Sequence, residues 1–179
     1  LNAITWQASE MGAPEVSVLS NSLGKFFRIS LSRGKEVIAI QKELEHVDNY
    51  LRIQGIRYKD KIRYEIQASE DIREMYVIKL VLQPLVENAI YHGIKLKEGT
   101  GVIRISAIRC RDQNGGQAVR LLVEDDGEGV REERLKVIRD NLKKGHVHYE
   151  DGYGIYNVNE RLKLYYGDPS GLELESVYK

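Results

Sequence analysis

The sequence predicts an α+β fold in which a helical region over residues 1–56 precedes a two-layer α/β sandwich over residues 57–179, with helices on one face of a mixed sheet. Two observations lead to this prediction. Apolar residues recur at helical spacing as far as about residue 56, and at about Lys59 alternating strand patterns begin to mix with helical ones. A chain of 179 residues is long enough for one large domain or two small ones.

Composition excludes several classes of protein. The 27 Lys and Arg residues balance the 27 Asp and Glu residues, so no overall positive field favours a nucleic acid partner. The single cysteine, Cys110, rules out an internal disulfide framework and is typical of a reducing compartment. No apolar run approaches the roughly 18 residues of a membrane span, and no signal peptide opens the chain. Since it also begins without methionine, we expect a cytosolic fragment of a longer protein.

The residue pattern of the first region, residues 1–56, predicts three helices. Pro14 is expected to start the second, where its missing N–H costs nothing. In the third helix, four apolar residues step by four, three and four and predict the buried face: Ile40, Leu44, Val47 and Leu51. Charged residues fill the other face, which we expect to be solvated together with His46: Lys42, Glu43, Glu45 and Asp48.

The second region alternates strands with helices. Strands are predicted over KIRYEIQ, VIRISAIRC, QAVRLLVED and GLELESV, with the turn NGG between the middle two. MYVIKLVLQPLVENAIYHG is apolar on nearly every side and predicts a buried helix ending at Gly93, in which Pro84 starts a turn or causes a kink. Further helices are predicted from about Arg131 to Lys144 and from about Ile155 to Gly167, with a polar, glycine-rich loop between them.

Asn88 begins the first candidate site, with Tyr91 and His92 three and four residues later. That α-helical spacing places the three side chains on one face. An amide oxygen beside a phenol and an imidazole can bind magnesium, with phosphate contacts nearby. The alternative is a polar helix end that faces solvent. Glu87 points about 100° away from Asn88, so we expect it to make a different contact.

Two glycine turns provide the other candidate residues. Asp126, Gly127 and Gly129 follow an apolar strand, and the bare backbone there would let a planar ring approach a carboxylate, although acidic glycine turns are also common without function. Gly152 and Gly154 open the last helix, where free N–H groups can bind phosphate. No histidine lies in a nucleophile or zinc motif, and His146 and His148 are expected to be solvated.

In this order the segments QPLVENAIYHG, DDGEG and GYGIYNVNERL resemble the N box and the two glycine boxes of the ATPase superfamily shared by gyrase B and the sensor histidine kinases. RISLSRGKEVIAIQKELEHVDNYLRIQGIRYKDKI resembles the helix and linker of bacterial two-component kinases whose acceptor helix reads PHFLFN. The resemblance implies a kinase core that binds ATP and Mg²⁺ for phosphate transfer to a histidine. Residues 1–56 would be a truncated dimerisation and phosphoacceptor region, and residues 57–179 the ATP-binding catalytic domain.

The resemblance also implies roles for single residues. Asn88 would bind magnesium, Tyr91 and His92 would lie near the phosphates, and Asp126 would accept a hydrogen bond from the adenine amino group. The remaining ATP-binding residues implied are Gly127, Gly129, Val130, Gly152, Gly154, Ile155 and Asn157. Residues 131–151 would form a polar, weakly packed lid over the nucleotide.

Departures from the family pattern refine these expectations. Hydrolytic members carry a glutamate four residues before the asparagine, where this chain has Pro84, so simple ATP hydrolysis is disfavoured. The acceptor histidine would lie a few residues before Leu1, so the fragment is not expected to phosphorylate itself. The final strand would be truncated at SVYK, leaving a sheet edge uncovered. Asp125 stands where the family frequently has asparagine, and no role is assigned to it.

The expected partners are a second copy, bound through the N-terminal helices, and a response regulator, with no nucleic acid. Membrane contact is expected only through upstream segments, as in a cytoplasmic domain of a membrane-anchored receptor. Two alternatives stay open: a nucleotide-binding interaction module without turnover, and an ATPase of the gyrase type.

Overall fold

The computed structural model describes residues 1–31, 34–59, 61–95, 97–112, 115–144 and 153–178. The helices are α1 (Asn2–Glu10), α2 (Pro14–Leu31), α3 (Ile40–Arg57), α4 (Glu70–Arg73), α5 (Leu82–Asn88), α6 (Glu132–Lys144) and α7 (Tyr153–Tyr166). A π-helical segment, Ala89–Ile94, continues α5. The strands are β1 (Val37–Ala39), β2 (Ile62–Ala68), β3 (Tyr76–Ile78), β4 (Gly101–Arg111) and β5 (Gln117–Asp125).

The main sheet is mixed and has the strand order β2–β4–β5. β2 runs parallel to β4 with Ile62 opposite Gly101, and β4 runs antiparallel to β5 with Ile103 opposite Asp125. Along β2 the exposed residues alternate with half-buried ones, because successive side chains point to opposite faces. The buried face carries the apolar residues, so the predicted α+β sandwich with a mixed sheet and helices on one face is confirmed.

One apolar core joins this sheet to α3 and α5. Its members include Leu44, Val47, Leu51, Leu82, Val86, Ile103 and Ile105, each at most 2% exposed. The apolar face predicted for α3 is therefore confirmed, since Ile40 is buried with them. The division of the chain at residue 56 stays a prediction. Within the described ranges, none of the helices combines the length and apolarity that crossing a bilayer requires.

The single buried helix predicted before Gly93 is wrong in its first part. Tyr76–Ile78 forms β3, which pairs antiparallel with β1, and α5 begins only at Leu82 after a turn in which Leu80 has φ +60°. A run that is apolar on every side shows no period, so its sequence cannot distinguish a strand from a helix. The strand forms because β1, within the region predicted as helical, supplies its partner.

The solvated face predicted for α3 is wrong at Glu43 and His46, which are both 0% exposed. Glu43 Oε1 accepts the N–H groups of Val81 and Leu82 at 2.7 and 2.9 Å, and Oε2 accepts that of Leu80 at 2.9 Å. A carboxylate can be buried where hydrogen bonds compensate for its lost hydration. Glu43 thus caps the start of α5 from a neighbouring helix, which no local pattern indicates.

The final strand predicted over GLELESV is also wrong, because the chain has no regular secondary structure over residues 171–178. This segment instead lies across α6 and the first glycine turn, where Arg139 Nε donates to the Leu174 carbonyl oxygen at 2.7 Å. The predicted α6 and α7 are confirmed. Because α6 buries Leu135, Ile138 and Leu142, the helical half of the predicted lid is well packed.

Candidate functional site

Asn88 ends α5 and is half-buried, whereas Tyr91 and His92 lie in the π-helical segment and are exposed. In this segment the Lys95 N–H donates to the carbonyl oxygen of Ile90 at 2.8 Å, five residues back. The wider turn alters the angular spacing expected of an α-helix, so α-helical spacing alone does not place the three side chains on one face. Single π-helical turns are frequent at functional sites.

The end of the π-helical segment meets the first glycine turn. A methyl group on Gly93 would overlap the Asp125 carboxylate, and one on Gly127 would overlap the backbone of Gly93. The Gly127 N–H also donates to Asp125 Oδ1 at 2.9 Å. Because neither glycine has a side chain, the helix and the turn approach to backbone contact. Two of the three predicted motifs therefore come together here.

Asp126 is held between β4 and the loop that precedes it. Its Oδ2 forms an ion pair with Lys97 Nζ at 2.7 Å, and its Oδ1 accepts the Val102 N–H at 2.8 Å. Its own N–H donates to the Val102 carbonyl oxygen at 3.2 Å. Both carboxylate oxygens thus have partners within the chain, which makes Asp126 an anchor of the turn.

Asp125, to which the sequence analysis assigned no role, ends β5 on the face that the helices cover. It lies opposite Ile103, which is 0% exposed, and residues that pair across antiparallel strands share a face. The signal was present in the sequence, because Asp125 has the same parity as the inward residues Leu121 and Val123. The structure therefore adds a second carboxylate to the predicted site.

Gly129 and Val130 are covered by the C-terminal segment. Gly129 has φ +80°, and a methyl group there would overlap the carbonyl oxygen of Val177. The Val130 N–H donates to Ser176 Oγ at 2.8 Å. Glycine is favoured at Gly129 on both counts, since side chains disfavour positive φ and the approaching backbone leaves no space.

The second glycine motif begins α7. Gly152 lies outside the described residues, but Gly154 approaches α5, where an added Cβ would lie 3.2 Å from that of Pro84. Asn157 is exposed. Ile155 packs with Val130 against a small cluster of α6 and α7 residues, Ile138, Leu142 and Tyr156. The two glycine motifs are therefore linked by packing as well as through α5.

Side chains of α7 secure the turn that leads into α5. Arg161 donates to the carbonyl oxygens of Lys79 and Leu80 at 2.6 and 3.2 Å, and the Tyr166 hydroxyl accepts the Ile78 N–H at 3.0 Å. Together with Glu43, these contacts satisfy backbone groups around a residue with positive φ. The start of α5 is thus held from two sides.

The inner side of α5 carries a polar contact beside Asn88. Gln83 Nε2 donates to Glu87 Oε1 at 2.8 Å, one turn along the helix. That Glu87 and Asn88 make different contacts stays a prediction. Burial raises the pKa of the neighbouring Tyr50 hydroxyl, and the negative charge of Glu87 raises it further. Tyr50 therefore stays protonated at neutral pH.

α5 and its π-helical continuation thus join the three motifs. The first turn of α5 contacts Gly154, the end of the π-helical segment contacts Asp125 and Gly127, and Asn88 lies between these contacts along the same helix. A helix N-terminus attracts phosphate, carboxylates accept hydrogen bonds from amino groups, and an amide oxygen is a magnesium ligand. The arrangement therefore places groups of these three kinds along one helix.

Two family models match the chain. Residues 1–62 match the family described as "Histidine kinase", and residues 76–176 match "Histidine kinase-, DNA gyrase B-, and HSP90-like ATPase". A solved histidine kinase domain, from the blue-light activated histidine kinase of Erythrobacter litoralis EL346, is 19% identical with a TM-score of 0.42 and covers 76% of this chain and 69% of its own.

Curated relatives include the sensor histidine kinase YesM of Bacillus subtilis, which is 28% identical over the whole chain, and YpdA of Escherichia coli, which is 32% identical over 94% of it. The sensor protein LytS of Oceanobacillus iheyensis is 30% identical over 88% of it. The chain spans 26–28% of the length of these relatives. Since the ATPase model alone matches more than half of it, the chain belongs to the family of histidine kinase-, DNA gyrase B- and HSP90-like ATPases.

Proposed function

We propose that the chain is the Mg-ATP-binding kinase core of a two-component sensor histidine kinase, which transfers the γ-phosphate to a histidine upstream of Leu1. The observation that carries this proposal is the contact of one helix with both glycine motifs, at Gly154 and at Gly127. Phosphoryl transfer depends chiefly on positioning and charge neutralisation, so a site without its own nucleophile is consistent with it.

The carboxylate that recognises the adenine amino group is proposed to be Asp125. The sequence-based assignment to Asp126 stays a prediction, but both oxygens of Asp126 already have partners in Lys97 and Val102. Asp125 instead lies where the π-helical segment meets the first glycine turn and is exposed, and a carboxylate that accepts the Gly127 N–H can also accept a hydrogen bond from a ligand's amino group.

The phosphates and magnesium are proposed to lie between Asn88 and the start of α7. Asn88 is half-buried and its amide oxygen is a ligand of the type that Mg²⁺ accepts, while the triphosphate would supply further oxygens. Within the described residues no cluster of three or more His, Cys, Asp or Glu side chains could form a cage by itself, so the nucleotide would complete the coordination. Bound magnesium would neutralise phosphate charge. Tyr91 and His92, exposed nearby, are proposed to contact the phosphates.

ATP hydrolysis is disfavoured by Pro84. It occupies the position where hydrolytic relatives would carry a base, and it packs against Gly154. Without a titratable group there, no side chain at this position can activate water. This argues for transfer to a protein side chain over an ATPase of the gyrase type.

A second copy is the partner proposed for the N-terminal helices. α1 and α2 expose large apolar side chains, among them Ile4, Trp6, Phe27 and Leu31, each at least half exposed. Helices with uncovered apolar faces are typical of bundles that form between chains. A response regulator and a membrane-anchored, cytoplasmic setting are proposed from the sensor kinase relatives.

Calorimetric titration with ATP, with and without magnesium, tests the proposal. We expect magnesium to strengthen ATP binding. Asn88→Ala should reduce that strengthening and leave Mg-free binding largely unchanged. Asp125→Asn should weaken adenine nucleotide binding at least about tenfold, because an acceptor becomes a donor facing the amino group. Asp126→Asn is the matched comparison. If it lost more nucleotide affinity than Asp125→Asn while its melting temperature was unchanged, Asp126 would be the residue that recognises the adenine amino group.

Adding the upstream helix and supplying labelled ATP tests the kinase step. Label on the added histidine would support it. Nucleotide binding without label would favour an interaction module, and phosphate release by the chain itself would favour an ATPase.

A further inference from the structure

His46 is buried and takes no part in the site described above. It is 0% exposed, its ring stacks on Phe26 of α2 with centroids 4.3 Å apart and planes inclined by 19°, and its Nε2 lies 2.8 Å from Gln83 Oε1 of α5. Its Nδ1 has no hydrogen-bond partner among the described residues. One imidazole therefore connects three helices through one stacking contact and one hydrogen bond.

The hydrogen bonds continue from Gln83 to the residue before Asn88, and chemistry gives them a direction. The Glu87 carboxylate only accepts hydrogen bonds, so Gln83 must donate to it with Nε2, at 2.8 Å. The Oε1 of Gln83 then faces His46, whose Nε2 must carry the proton that is donated. The chain from His46 to Glu87 thus has one orientation.

α3 holds α5 at two points that face it. Glu43 accepts three backbone N–H groups at the start of α5, and His46, three residues further on, binds Gln83 in its first turns. Residues three apart share a helical face. Because α5 has only seven residues before the π-helical segment, two buried polar contacts determine much of its rotation.

We propose that His46 is a positioning residue of the nucleotide site: its Nε2–H, relayed through Gln83 to Glu87, orients α5 and so the Asn88 amide toward Mg-ATP. This role rests on the proposed function. A buried chain of hydrogen bonds with a single direction favours one arrangement of its members, and outer partners of metal ligands orient those ligands. Through its stack on Phe26, the imidazole also couples the position of α2 to that of α5.

Three substitutions in the full chain separate the hydrogen bond from packing. His46→Phe keeps an aromatic ring against Phe26 and removes the donor, whereas His46→Gln places an amide Nε2 near the lost position. We expect His46→Phe to weaken Mg-ATP binding about tenfold, with a smaller effect on Mg-free binding, and His46→Gln to recover most of that loss. Asn49→Leu is the control, since Asn49 is buried on the same helix and its side chain, within the described part of the chain, donates only to the Glu45 carbonyl oxygen.

The ring tautomer gives a readout that packing does not move. Nitrogen-15 shifts should show the proton of His46 on Nε2 in the unaltered chain and in Asn49→Leu. Glu87→Gln should produce a mixture, because an amide at Glu87 can donate as well as accept and removes the fixed direction. A proton on Nδ1 in the unaltered chain, or no change in Glu87→Gln, would overturn the relay.

The outcomes separate this inference from the proposed function. If the unaltered chain binds no adenine nucleotide, the proposed function fails and the positioning role fails with it. If it binds ATP and His46→Phe binds equally well, or His46→Gln is as weak as His46→Phe, only the positioning role is refuted. Should His46→Phe not fold, Gln83→Met interrupts the same chain in α5, and unchanged Mg-ATP affinity in that variant would refute it as well.

Discussion

Replacing Glu43 with glutamine changes the identity of one heavy atom, from oxygen to nitrogen, yet it should destabilise the protein substantially. The carboxylate accepts three backbone N–H groups at 2.7–2.9 Å while 0% exposed. Glutamine keeps one acceptor oxygen for Val81 and Leu82 and turns an NH₂ group toward the Leu80 N–H, where two donors then face each other. One hydrogen bond is lost and two lose their charge assistance.

The magnitude follows from these three bonds. A hydrogen bond to a charged group contributes about 1.5–3 kcal/mol and a neutral one about 0.5–1.5 kcal/mol, so the change should cost about 3 kcal/mol of the free energy of unfolding. For a chain of this size that corresponds to a melting temperature lower by roughly 6–12 °C. Urea denaturation followed by far-UV circular dichroism would measure the loss as a lower midpoint with an unchanged slope.

Glu45→Gln is the matched control. It is the same chemical change two residues further along α3, but among the residues that the structure describes the Glu45 carboxylate pairs only with exposed Lys42, at 2.6 Å. Exposed ion pairs of this kind contribute at most about 1 kcal/mol. If Glu43→Gln proved no more destabilising than Glu45→Gln, the inference that Glu43 anchors the start of α5 would be refuted.

Two further predictions test other contacts. Gly93→Ala should lower stability by about 1–3 kcal/mol and weaken nucleotide binding, because its methyl group would overlap the Asp125 carboxylate. Gly55→Ala, which has open space around it, should instead stabilise the protein by up to about 1 kcal/mol. Equal changes of melting temperature in the two variants would contradict this. Burial and the hydrogen bond to Asp48 raise the pKa of Tyr64 from 10.0 to about 12, so its contribution is fully present below pH 10 and is lost as the pH rises to 12. Melting temperatures measured from pH 9 to 12 should fall less steeply in Tyr64→Phe.

The local residue pattern was sufficient to predict an element where one of its faces is apolar and the other polar. β4 and β5 were predicted from their alternation, and α6 and α7 from helical spacing. Pattern was insufficient where a segment is apolar throughout or where its partner is distant. β3 pairs with β1, whose residues lie 37 to 41 positions earlier, and no local signal reports such a pairing.

The candidate site divides in a similar way. The motifs around Asn88, Asp126 and Gly154 were recognised from sequence, together with their order along the chain. The difference between Asp125 and Asp126 was not, because neighbouring carboxylates are equivalent until Lys97 and Val102 bind one of them. The role of each carboxylate depends on which contacts surround it in three dimensions.

The amino-acid sequence by itself determined the order of β2, β4, β5, α6 and α7, the apolar face of α3, and the glycines at which backbones approach closely. These follow from period and from steric freedom, which act within a few residues. Only the tertiary structure decided that Glu43 and His46 of α3 turn inward to hold α5. A charged or polar side chain is buried only when distant groups satisfy its hydrogen bonds, and those groups are assembled by the fold.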